Sequence, residues 1–105
     1  MNYSIFVTPR AESDLNDIYT YLAFSLYEPS TAESLYQSIL KAIYSLEQPP
    51  HRYPLYEEEP WFSKGYHKLL VKKYLVFYSI DENLHQIRIV RILYGGRDIG
   101  AQLSE

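Results

Sequence analysis

The last third of the chain contains three strand-like segments joined by turns that are too short to hold another element. Residues 66–71 and 74–80 are separated only by Lys72-Lys73, and a turn at residues 81–83 leads into the third segment, residues 86–94. All three are rich in aromatic and aliphatic residues, which predicts strands. Such short connections join antiparallel neighbours, so we expect the three strands to lie side by side in one sheet.

The third segment is apolar on both of its faces. Since side chains alternate along a strand, the predicted faces are Ile87, Ile89, Arg91 and Leu93 on one side and Arg88, Val90, Ile92 and Tyr94 on the other. Such a strand is typical of the centre of a sheet. Two helices can cover only one face, so we expect the other to be an apolar, partly basic surface that binds another molecule. Arg91 would point from that surface at a partner or lie flat with its charged end in water.

A first strand and a first helix are predicted at the N-terminal end. Residues 3–8 read as a short strand, after which Thr8 is a suitable N-cap and Pro9 a suitable first helical residue. The apolar residues that follow recur at helical spacing and predict one buried side, consisting of Ala11, Leu15, Ile18 and Leu22.

A second helix follows a break near residues 27–29. Ser30 and Glu33 have the spacing of a capping box, which predicts its first turn. Its apolar side consists of Ala32, Leu35, Ile39, Ile43 and Leu46. It is expected to stop at residues 48–50, and the proline-rich residues 49–64 are expected to form a long surface loop.

These elements predict an α+β fold in a single domain, residues 1–105. An N-terminal strand and an antiparallel helical hairpin would accompany a small, mainly antiparallel four-stranded sheet, with the hairpin packed on one face. The chain has no cysteine, no secretory signal pattern and no segment approaching the roughly 18 apolar residues of a membrane span. We therefore expect a soluble, cytoplasmic protein without a membrane partner.

Basic residues are concentrated in the C-terminal half. Residues 1–63 carry three Lys or Arg against nine Asp or Glu, whereas residues 64–97 carry seven against two, although the net charge is −3. Either this half faces an anionic partner, or its lysines keep an exposed sheet edge soluble. The three histidines have no ligand partner at short spacing, so we expect no metal and no cofactor.

Three segments in order carry a family resemblance. They are residues 8–22, TPRAESDLNDIYTYL; residues 65–82, GYHKLLVKKYLVFYSIDE; and residues 89–98, IVRILYGGRD. They resemble the first helix, the central hairpin and the end of the last strand of the ParE branch of the RelE/ParE superfamily, the toxins of bacterial type II toxin–antitoxin pairs. The resemblance covers nearly the whole chain. It implies this fold and a growth-inhibiting toxin that a cognate antitoxin protein neutralises.

The resemblance leaves the mechanism open, because some members of the superfamily cleave mRNA on the ribosome and ParE-type members poison DNA gyrase. For a ribonuclease it implies Arg97, His67 and Lys68 as the catalytic residues. Two expected residues are missing: Leu75 stands where ribonucleolytic members have an arginine, and no tyrosine follows Arg97.

The chemistry of RNA cleavage favours the gyrase mechanism. Cleavage needs a base, an acid and cations in one site. Because strand neighbours alternate, His67 and Lys68 should project to opposite faces of the sheet. An isoelectric point near 5.6 also fits phosphate binding poorly. We expect a ParE-like toxin that binds DNA gyrase; the alternatives are a RelE-like, ribosome-dependent mRNA endonuclease and an inactive toxin-fold binding partner.

The residues expected to bind the target or the antitoxin lie in or after the third strand: Arg88, Arg91, Tyr94, Arg97 and Asp98. The tight turn at Gly95-Gly96 would place Arg97 at the rim of the sheet. In the alternative, Arg97 and Asp98 only stabilise a turn, with the aspartate accepting backbone N–H bonds. The twelve tyrosines favour a protein interface. We expect the antitoxin to lay an acidic and apolar segment over the basic sheet or along the hairpin.

Overall fold

The structure is a computed structural model and describes residues 3–47, 50–96 and 98–104. In these residues the chain forms β1 (Ser4–Val7), α1 (Pro9–Thr20), α2 (Pro29–Tyr44), β2 (His67–Val71), β3 (Tyr74–Asp81), β4 (Gln86–Tyr94) and α3 (Ile99–Leu103). A π-helical turn, Tyr21–Ser25, continues α1, and 3-10 turns follow α2 at Ser45–Glu47 and Pro50–Arg52. Within the described ranges, no helix is long and apolar enough to cross a membrane.

The four strands form one sheet in the order β1-β4-β3-β2. β1 is parallel to β4, whereas β4 with β3 and β3 with β2 are antiparallel. The predicted mainly antiparallel sheet is therefore confirmed, and β4 lies inside it. The two-residue turn between β2 and β3 works because Lys72 adopts a φ of 54°, the left-handed conformation that such hairpins use.

The start of α1 is as predicted, and the start of α2 is not. The Thr8 hydroxyl accepts a hydrogen bond from the N–H of Ala11 at 3.2 Å, and Pro9 is the first helical residue. The predicted capping box at Ser30 is wrong: α2 begins at Pro29, and its N-cap, Glu28, makes no side-chain capping bond. The physical reason is that proline favours the first helical position, which puts Ser30 inside the first turn.

Both predicted apolar sides of the helices pack against one face of the sheet, which we call the helix face. The core between the two layers consists of Ala11, Leu15, Leu35, Ile39, Ile43 and Leu46 from the helical layer and Leu69, Val71, Val76, Tyr78, Ile87, Ile89 and Ile92 from the strands. The hydroxyl of Tyr78, a fully buried residue of this core, donates a 2.6 Å hydrogen bond to the carbonyl of Pro50. That bond ties the loop after α2 to the centre of the sheet.

A β-bulge changes which side chains share a face of β4. Phe77 is opposite Arg91, but its neighbour Tyr78 is opposite Ile89, so Val90 is an extra residue in β4. Strict alternation therefore fails at Val90. Beyond it, Arg91 is opposite Phe77, while Ile92 is opposite Val76 in the core under the helices. The predicted grouping of side chains is therefore wrong for the second half of the strand.

The face opposite the helices, which we call the second face, is covered at its centre by the chain itself. Phe77 is fully buried there, with the Tyr56 ring in edge contact at 5.3 Å between centroids. Trp61 packs next to Tyr56 at 6.0 Å and approaches Gly100 of α3. The expectation of an uncovered apolar surface is therefore wrong at this position, because the loop after α2 and the unpredicted helix α3 fold over it.

Candidate functional site

Arg91 is a buried structural residue. Its side chain is 9% exposed, and its Nε and Nη2 atoms donate to the two carboxylate oxygens of Asp14 at 2.7 and 3.1 Å. Nη1 donates to the carbonyl of Gln102 in α3, and Asp14 also accepts from the N–H of Ile92. Both orientations predicted for Arg91 are wrong, because the bidentate pair with Asp14 holds the guanidinium away from solvent. In this structure the guanidinium links α1, β4 and α3, and a role of Arg91 in binding a target or antitoxin stays a prediction.

Arg88 and Tyr94 are not on one surface. Arg88 is exposed on the second face, with its guanidinium carbon 5.1 Å from the centre of the Phe6 ring. Tyr94 lies beyond the bulge on the side of Tyr74, whose ring it meets edge-on at 5.6 Å. Six residues of strand span roughly 20 Å, so these two side chains cannot contact the same small ligand. Whether either binds a partner stays a prediction.

Asp98 stabilises the start of α3. Its Oδ1 accepts a hydrogen bond from the N–H of Ala101 at 3.2 Å, which is the role of an N-cap. This geometry agrees with the alternative in which the aspartate only stabilises a turn. Arg97 lies outside the described residues, so its catalytic or binding role stays a prediction. A Cβ on Gly95 would lie 3.2 Å from the carbonyl oxygen of Lys73, so a side chain there would crowd the turn.

His67 and Lys68 project to opposite faces, as predicted. The His67 ring stacks on Tyr78 on the helix face at 5.0 Å, and its Nδ1 lies 2.7 Å from the Tyr53 carbonyl oxygen. The Lys68 ammonium lies on the second face, 5.7 Å from the centre of the Tyr56 ring. The sheet itself separates the two groups, so they cannot act on one phosphate.

Three tyrosines near the sheet, Tyr56, Tyr74 and Tyr78, have a raised pKa. Burial is the main cause that raises the pKa of Tyr56 to about 12, and a 2.6 Å hydrogen bond to the Glu58 carboxylate adds to it. Burial also raises the pKa of Tyr78 and of Tyr74. A phenol held this far above neutrality is a poor general acid.

A groove of about 540 Å³ opens between the helical hairpin and the turn that joins β2 to β3. We call it the lysine groove. Leu22, Leu35 and Tyr74 give it apolar walls, Lys72 and Lys73 stand on one side, and hydroxyl residues from the first turns of α2 stand on the other. Sequence reasoning missed it; the adjacent lysines between two predicted strands were its only sequence signal.

Three exposed or partly exposed titratable side chains from separate segments, Tyr3, His51 and Glu82, form a cluster on another part of the surface. Glu82 accepts a 2.6 Å hydrogen bond from the Tyr3 hydroxyl, and its other oxygen lies 2.8 Å from Nε2 of His51. These two partners, the tyrosine first, lower the pKa of Glu82. In the part of the chain that the structure describes, no three His, Asp or Glu side chains are arranged to hold a metal ion.

Solved structures of toxin–antitoxin systems share the fold of this chain. The chain is similar to a chromosomal ParDE system from P. aeruginosa (23% identity, TM-score 0.71, covering 88% of this chain and 95% of that one). It is also similar to the RelBE2 toxin–antitoxin complex of Mycobacterium tuberculosis (18% identity, TM-score 0.64, covering 90% of this chain and 99% of that one). A third similar structure is the RelE-RelB complex of Pyrococcus horikoshii (16% identity, TM-score 0.63, covering 93% of this chain and 100% of that one). The predicted RelE/ParE-like fold is confirmed.

The family follows from the sequence itself. Residues 5–99 match the model of the family described as ParE toxin of type II toxin-antitoxin system, parDE. The chain therefore belongs to the ParE toxin family, and the predicted relationship is confirmed. No curated protein matches the chain.

Proposed function

We propose that this ParE-family toxin inhibits growth by binding DNA gyrase, without cutting RNA, and that a cognate antitoxin neutralises it. Family membership supports the toxin role. The observation that supports a mechanism without RNA cleavage is the separation of His67 and Lys68 by the sheet. His67 stacks on Tyr78 on one face, and Lys68 lies over Tyr56 on the other.

The chemistry of phosphodiester cleavage explains why this separation matters. A base must take the proton of the attacking hydroxyl while an acid protonates the leaving oxygen, within hydrogen-bond reach of the same phosphate. The His67 ring is held by the Tyr53 carbonyl on the helix face. On the second face Lys68 can supply charge, but the nearby Tyr56 has a pKa of about 12 and its hydroxyl is bound to Glu58. Neither face combines an available base with an available acid among these candidates.

A ribonuclease remains the second candidate because cations do occur on the second face. Lys68 and the exposed Arg88 both lie there, and such groups could stabilise the charge that develops on a phosphate. In this mechanism the target would be mRNA on the ribosome, and Arg97 would complete the cationic set.

Controlled expression in bacteria distinguishes these mechanisms. We expect the chain to arrest growth, to leave the ends of cellular mRNA unchanged and to alter the supercoiling of a reporter plasmid. The double substitution His67→Ala, Lys68→Ala should arrest growth as the natural chain does, because neither residue acts chemically. New mRNA ends that disappear in this variant would overturn the gyrase proposal in favour of the ribonuclease. Failure of the natural chain to arrest growth would instead support an inactive binding partner.

A further inference from the structure

We propose that the lysine groove is where the antitoxin docks, and that it takes a segment carrying both acidic and apolar side chains. The proposal rests on the proposed function, since it names where the neutralising partner binds. Two surfaces were expected for the antitoxin, the basic sheet and the helical hairpin. The proposal places it at one end of the hairpin, because the groove there combines positive charge with an apolar wall.

The positive character of the groove has two independent sources. Lys72 and Lys73 are exposed at the turn between β2 and β3, and both line the groove. The first turns of α2 form the opposite side, and this helix of 16 residues has no side-chain cap at its start. The first N–H groups of a helix have no partner within the helix, and they carry the positive end of its dipole.

The apolar character comes from aromatic and aliphatic side chains that continue beyond the groove. Leu22, Leu35 and Tyr74 line it, and the Tyr74 ring contacts Tyr94 edge-on. Tyr94 is 40% exposed and Tyr21, on the hairpin side, is 54% exposed. Partly exposed tyrosines next to a concave apolar wall are typical of protein interfaces, where they supply large contact area with a hydrogen-bonding end.

Charge complementarity selects the occupant. The described residues that line the groove include two lysines and no Asp or Glu, although the chain as a whole has a net charge of −3. An acidic segment is a good match for the groove, because its carboxylates would face the two lysines without meeting a like charge in the lining. A nucleic acid would place its phosphates against the lysines but would leave the apolar wall without a matching partner. A peptide with alternating acidic and apolar residues satisfies both.

The test reverses the charge of the groove in the whole toxin. The probe is the protein encoded by the reading frame that adjoins the toxin gene and restores growth when co-expressed. We expect Lys72→Glu, Lys73→Glu to bind it about 100-fold more weakly by calorimetry, because like charges would then face each other. This variant should still arrest growth, and co-expression of the same protein should no longer restore it. The matched control is Lys41→Glu, Lys64→Glu, which changes the net charge equally at exposed positions outside the groove.

The outcomes separate this proposal from the proposed function. If the groove variant arrests growth and is neutralised as well as the control variant, the docking site is wrong while the proposed function stands. If no adjoining protein restores growth, the neutralisation in the proposed function fails, and the docking site fails with it. If the natural chain never arrests growth, the proposed function fails first. A single-stranded oligonucleotide that displaces the adjoining protein from the natural chain, and binds the groove variant more weakly, would show that the groove takes nucleic acid and would overturn the proposal.

Discussion

Breaking the buried pair between Asp14 and Arg91 should cost a large share of the stability of the fold. Replacing Asp14 by alanine removes both hydrogen bonds to the guanidinium and the acceptor for the N–H of Ile92. Among the described residues, the Arg91 side chain, 9% exposed, would keep only the carbonyl of Gln102 as a partner. Breaking one side of such a buried pair costs about 3–5 kcal/mol. Since domains of this size are stable by roughly 5–15 kcal/mol, a large share of the stability should be lost.

Urea unfolding followed by circular dichroism measures this loss. The matched control is Asp17→Ala, an exposed carboxylate in the same helix, which should change the free energy of unfolding by less than about 0.5 kcal/mol. The double substitution Asp14→Leu, Arg91→Met should be more stable than Asp14→Ala, because no charge remains buried without its partner. A loss below about 1 kcal/mol for Asp14→Ala would refute the structural role of the pair.

Two further predictions concern stability. The partners of Glu82 lower its pKa below the ordinary value of 4.5. The ionised carboxylate therefore stabilises the fold above pH 4.5, and this contribution is lost as the pH falls through the lowered pKa. In thermal unfolding from pH 6 to 2, the variant Glu82→Gln should show a smaller loss of stability with acid than the natural chain. An identical acid profile in the variant would contradict this. Tyr78→Phe should cost about 1–3 kcal/mol in urea unfolding, since the carbonyl of Pro50 loses its buried donor, and a neutral result would mean that water replaces the hydroxyl.

Much of the fold was predictable because local patterns agreed with the final packing. Thr8 and Pro9 fix the start of α1, and the apolar spacing of both helices predicts the side that is buried. The bulge at Val90 was not predictable from alternation, since one extra residue leaves an apolar pattern intact while it exchanges the faces. Helix α3, five residues long, has too few turns to leave a periodic signal.

The candidate site was less predictable, because it depends on contacts between distant segments. Asp14 and Arg91 are separated by 77 positions, and nothing in either local pattern indicates that they pair. The opposite orientation of His67 and Lys68 was predictable, since it needs only the alternation of one strand. The lysine groove needs the tertiary approach of α2 to the turn at Lys72, which no local spacing reveals.

A supercoiling assay with purified DNA gyrase tests the proposed mechanism most directly. We expect the purified toxin to inhibit supercoiling of relaxed plasmid, and the variant His67→Ala, Lys68→Ala to inhibit it at the same concentration. The same preparation should leave ribosome-bound mRNA intact. Unchanged gyrase activity together with cleavage of that mRNA, abolished in the variant, would contradict the mechanism.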